Sequence, residues 1–99
     1  MSKVALLVKL ELIPGQKAAF LERVRKHATL VLEKEPECSA FTVLDPQEES
    51  DVVWLCEVYA DQAAVDHHLS TPYMKQYLED TGPMIADRER KLCAVPDPI

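Results

Sequence analysis

The stretch "DVVWLCEVYADQAAVDHHLSTPY", Asp51 to Tyr73, decides the architecture, because it joins a strand that is apolar on both faces to a helix in two pieces. Val52, Trp54, Cys56 and Val58 alternate with Val53, Leu55, Glu57 and Tyr59 at the period of two that a strand requires. Asp61 suits the N-cap of a helix from Gln62 to about Leu69. Ser70 or Thr71 followed by Pro72 starts a second piece, since Pro fits the first helical position.

Upstream, "KVALLVKLELI" from Lys3 to Ile13 puts Val4, Leu6, Val8, Leu10 and Leu12 on one face of a strand, with a mixed opposite face that includes Lys9. Pro14 and Gly15 break it and open a helix whose stripe is Phe20, Leu21, Val24, Ala28, Val31 and Leu32. That helix stops before Pro36, which disfavours helical geometry at Glu35. "CSAFTVLD" and "DVVWLCEVYA" form an antiparallel hairpin across "PQEES". Thr81-Gly82-Pro83 closes the second helix. The charged "ADRERK" leaves the stretch after Met84 open until "KLCAV" forms a last strand before the Pro-rich tail "PDPI".

The order β-α-β-β-α-β is the split βαβ, ferredoxin-like layout of the α+β class, an antiparallel sheet with helices on one face. Helices cover one sheet face only, so a third strand that is apolar on both predicts a homodimer packed sheet against sheet.

The 99 residues make a single domain, 1–99, with 47% hydrophobic residues and only 2 Gly. A net charge of -6 with scattered Lys and Arg discounts nucleic acid and anionic membrane as partners. Cys38, Cys56 and Cys93 lack a C-x-x-C pair and read as reduced thiols of a cytoplasmic protein. The apolar run VALLV is too short for a signal-peptide core or a membrane span. Adjacent histidines point apart and offer no three-ligand metal set, and neither a phosphate loop nor a dinucleotide fingerprint is present. No metal or other cofactor is expected.

Two polar residues stand out. His68 shares the inward arc with Val65 and Leu69, while His67 is turned about 100° away toward solvent. Glu57 sits in the row of Leu55 and Tyr59, where an ionised carboxylate needs a partner or a raised pKa. Spacing alone leaves both a structural and a chemical role open for each. Tyr59 and Trp54 fall on opposite faces.

"PGQKAAF", "CSAF" and "EVYADQAAVDHHLSTPY", taken together over about Val4 to Val95, resemble the antibiotic biosynthesis monooxygenase family, including its quinol monooxygenase-like members. The resemblance implies a dimeric α+β barrel and oxidation of an electron-rich phenol, anthrone or hydroquinone by dioxygen without a prosthetic group. It implies His68 as base, Glu57 as its orienting partner or a hydrogen bond to substrate, and Tyr59 or Tyr73 as donor to a developing oxyanion. Tyr73 stands where many relatives carry a second histidine. Leu55 and Tyr73 complete the expected substrate-binding set with Lys9, the inward cation expected should the substrate be phosphorylated. Two other readings stay open: an oxygen-independent isomerase of a small oxygenated metabolite, and a non-catalytic dimer that holds a small ligand.

Overall fold

The computed structural model describes residues 3–96, so the tail beyond Pro96 lies outside the described residues. The strands are β1 (Lys3–Leu12), β2 (Cys38–Leu44), β3 (Val52–Tyr59) and β4 (Ile85–Val95). The helices are α1 (Lys17–Lys34), α2 (Gln62–Leu69) and α3 (Pro72–Thr81), the last followed by a 3-10 turn at Gly82–Met84. All strand pairs are antiparallel in the order β2-β3-β1-β4. This is the ferredoxin-like arrangement expected from the element order.

Alternation sorts the sheet into two faces. Leu6 lies opposite Glu57, Val8 opposite Leu55 and Leu10 opposite Val53, and these side chains are buried beneath the helices. Phe20, Val24 and Val31 of α1 are fully buried against that face. Complete burial of such a side chain contributes about 1.5–3 kcal/mol. On the other face Leu7, Lys9, Trp54, Cys56 and Val58 stay partly exposed.

The helix ends follow local chemistry. Gly15, at φ 87°, turns the chain out of β1 in a conformation that a side chain would strain. The Asp61 carboxylate accepts from the Ala64 amide at 2.9 Å, and the Thr71 hydroxyl accepts from the Met74 amide at 3.3 Å, capping α2 and α3. At the end of α1, Glu35 has φ -119° and ψ 88°, outside the helical range as expected before proline. Its side chain thereby leaves the helix surface and becomes buried.

Three details differ from the expectations. Leu32, at one edge of the expected stripe, is 46% exposed, while His27 at the other edge is 2% exposed. The strand β4 begins at Ile85 and includes the whole charged segment. It is exposed along most of its length, so hydropathy carries little trace of it and backbone pairing with β1 holds it. A bulge between Cys38 and Ala40 places Ser39 as the extra residue and sets Cys38 opposite Tyr59. The Cys38 side chain is buried there, and burial pushes its thiol up.

Candidate active site

Between the helix-covered face of the sheet and the three helices lies a cavity of about 200 Å³. Its sheet wall is Leu6, Val8, Leu10, Phe41 and Leu55; Leu69, Met74 and Leu78 close it from the helices. Glu57, His68 and His27 reach the same cavity from three elements, and Arg88 and Arg90 of β4 stand at its edge.

The polar centre is built on His68. Its Nδ1 lies 3.0 Å from Glu35 Oε2, and its Nε2 lies 3.6 Å from Glu57 Oε1. Two buried carboxylates therefore bracket one imidazole, with His68 at 1%, Glu35 at 3% and Glu57 at 3% exposure. The carboxylate at Nδ1 fixes the ring and sets the proton on that nitrogen. Tyr59 Oη donates to Glu57 Oε1 at 2.6 Å, and Tyr73 Oη donates to Glu35 Oε2. The Thr71 hydroxyl donates to the His68 carbonyl at 2.9 Å, tying the end of α2 to the start of α3.

Electrostatics follows from burial. Desolvation pushes Glu57 above the usual carboxylate range, opposed by the Tyr59 hydrogen bond and the His68 charge. Tyr59 is raised by desolvation and by the adjacent Glu57, and Tyr73 is pushed up to about 12 by desolvation and Glu35. Both phenols stay protonated and donate. His27 is pushed down to about 3 by burial, with His68 and Arg23 adding to the shift, so its ring is neutral at physiological pH. It stacks on Tyr77 with centroids 4.0 Å apart, and its Nδ1 is buried without a hydrogen-bond partner.

The structure brings His68, Glu57, Tyr59 and Tyr73 into one network and puts Leu55 in the cavity wall. His67 is exposed, as expected. Lys9 is not part of the cluster. It lies on the opposite sheet face, its Nζ 5.8 Å from the Trp54 ring centroid, because an odd position in β1 points away from the helices. The cations that border the cavity are Arg88 and Arg90. The carboxylate that holds His68 Nδ1 is Glu35, whereas Glu57 faces Nε2. Neither Tyr59 nor Tyr73 borders the cavity; each is spent on a carboxylate.

Glu35, His27 and the two arginines are absent from the sequence-derived set. His27 had a visible signal, since it continues the inward spacing of Phe20 and Val24. The arginines had a weaker one, the alternation of Arg88, Arg90 and Leu92 once the strand is started at Ile85. Glu35 had only its place before Pro36. Among the described residues no group of three His, Cys, Asp or Glu is arranged to hold a metal ion, and no helix is long and apolar enough to cross a membrane.

A ferredoxin-like sheet with an enclosed acid-base cluster under its helices defines a small-molecule-binding α+β domain. The model of the antibiotic biosynthesis monooxygenase family matches residues 3–80, and the chain belongs to that family. Solved structures agree. A protein of Caulobacter crescentus CB15, provisionally named an antibiotic biosynthesis monooxygenase, is 24% identical over 97% of this chain and 92% of its own, with a TM-score of 0.93. One of Nitrosomonas europaea with the same provisional name is 17% identical over 98% and 93%, at a TM-score of 0.92. A provisionally named monooxygenase of Lactobacillus acidophilus NCFM is 29% identical over 95% of this chain but 44% of its own, at 0.87. A search of curated proteins gave no match.

Proposed function

We propose that the chain is a cofactor-independent monooxygenase that deprotonates an electron-rich phenol, best a hydroquinone, and lets the resulting anion react with dioxygen. The observation that carries this reading is the buried Glu35–His68–Glu57 cluster opening on a mostly apolar cavity. His68 keeps its Nδ1 proton on Glu35 and takes the substrate proton at Nε2. The imidazolium so formed lies between two carboxylates. Glu57, raised by burial, faces the Nε2 assigned to take that proton.

The substrate itself supplies the electrons. Its anion passes one electron to dioxygen, the two radicals combine to a peroxide, and loss of water leaves a hydroxyquinone. Hydroquinone and one dioxygen thus give hydroxyquinone and one water, with no external reductant. The protein orients the ring, removes the proton and keeps bulk water away. Size selects among phenols: a 150 Å³ apolar cavity holds benzene, so about 200 Å³ suits one substituted ring and is too small for a three-ring anthrone.

The reading extends to assembly and place. Leu7, Trp54, Cys56 and Val58 form a half-exposed apolar face that no helix covers, which supports a homodimer joined sheet to sheet. The three free thiols suit the reducing cytoplasm.

Oxygen uptake by metal-stripped protein, measured against hydroquinones above their autoxidation rate, tests the reaction. Replacement of His68 by Ala is expected to lower that uptake by about 10²–10⁴-fold, the usual range for a general base. Normal turnover in His68→Ala would remove the proposal, and uptake absent from the whole panel would move the weight to oxygen-independent proton transfer in the same cavity.

A further inference from the structure

Arg88 and Arg90 stand two residues apart on β4, so both side chains leave the same face of the strand. The register fixes which face. Arg90 lies opposite Val8 and Arg88 opposite Leu10, and both of those residues point into the core. The guanidiniums therefore stand on the helix side of the sheet, at the rim of the cavity. Their fields reach its polar groups, Arg90 acting on Glu57 and Arg88 on Tyr77.

Among the described residues neither guanidinium has an acidic partner. Among the described residues the ion pairs are Lys9–Glu11, Lys17–Asp45, Arg23–Asp80 and those of His68, and none includes Arg88 or Arg90. In a chain with 17 acidic and 11 basic residues, two neighbouring unpaired arginines beside an apolar cavity call for an anion from outside. Charge on an edge strand also discourages pairing with another chain. Asp87, Glu89 and Lys91 on the outward face serve that purpose equally well, and the purpose does not require two cations to converge on a cavity rim.

The geometry points to an aromatic carboxylic acid as the ligand, its carboxylate held at the rim by Arg88 and Arg90 and its ring among Leu6, Val8 and Leu55, with a hydroxyl directed at Glu57 and His68. Planar guanidinium matches planar carboxylate in paired hydrogen bonds. The span fits as well. Glu57 is two strands from β4 and one alternation step from the Arg90 row, which sets their backbones about 12 Å apart. Side chains reaching in from both ends leave room for one ring between carboxylate and hydroxyl. This inference rests on the aromatic-substrate reading above and narrows its substrate to an acidic one.

Binding measured calorimetrically without oxygen separates recognition from turnover. The probes are hydroquinone, 2,5-dihydroxybenzoate and 4-hydroxyphenyl phosphate, titrated into the wild type, the double variant Arg88→Gln/Arg90→Gln, and Lys26→Gln as an exposed cation control on α1, away from the cavity. The benzoate is expected to bind the wild type at least about tenfold more tightly than hydroquinone, with a preference that falls as salt is raised. The double variant loses that preference and Lys26→Gln keeps it. Equal affinity for benzoate and hydroquinone, or a preference that survives in the double variant, overturns the carboxylate site while aromatic binding stands. Tighter binding of the phosphate than of the benzoate overturns the choice of carboxylate. Failure of every probe to bind overturns both this inference and the aromatic reading.

Discussion

Glu35 puts a carboxylate at the C-terminal end of α1, where the helix carbonyls repel negative charge. It is stable there because His68 and Tyr73 both donate to it. The partner lies 33 residues further along the chain, so no local pattern announces the pair. His68 and Glu57 were legible for the opposite reason: a 100° helical step separates His68 from His67, and a period of two puts Glu57 among apolar neighbours. His27 was legible in spacing, at the edge of the Phe20–Val24–Val31 stripe, but a histidine does not register in a pattern of apolar residues. Its consequence is measurable. With a folded-state pKa near 3 against an ordinary 6.5, the unfolded chain binds more protons at His27 throughout that window. Stability from this residue is therefore complete above pH 6.5 and declines as pH falls toward 3, by at most about 1.4 kcal/mol per pH unit. His27→Phe removes both the titration and the unpaired Nδ1. Urea unfolding should find it about 1 kcal/mol more stable at neutral pH, with a shallower loss in acid; parallel acid limbs in variant and wild type would exonerate His27.

At the scale of elements, one proline sets the site. Pro36 keeps Glu35 out of the helical conformation, and the non-helical backbone turns the carboxylate inward under α2 and α3. Pro36→Ala lets α1 continue and releases Glu35 from that path. We expect a stability loss of only about 1 kcal/mol, since removing a proline acts mainly through the unfolded chain, with oxygen uptake lowered about tenfold or more as the ring of His68 loses its anchor. Unchanged uptake would mean that tertiary contacts alone position Glu35. The elements differ in legibility. The strands β1 and β3 and both pieces of the second helix were readable because caps and alternation agree with burial. The first half of β4 was not, since a strand exposed on both faces has no alternation to read and is defined by hydrogen bonds to β1.

At the scale of the molecule, the proposed homodimer rests on the face without helices. Trp54 stands near its middle beside Lys9, half-exposed, where a second sheet would cover it. Trp54→Glu introduces a charge that a sheet-to-sheet contact cannot solvate, so sedimentation should show dimers in the wild type and monomers in the variant. A monomeric wild type at micromolar concentration would refute the dimer. The molecule also divides its labour. The groups to which the proposed reaction assigns proton transfer are buried and interlocked, so change at Glu35, Glu57 or His68 is penalised in folding as well as at the site. Arg88 and Arg90 belong to an exposed strand, where substitutions usually alter stability by less than about 0.5 kcal/mol. On the proposed reading, what the cavity admits can therefore drift while its buried polar cluster stays fixed, and a lineage built on this frame can explore new molecules by editing one rim strand.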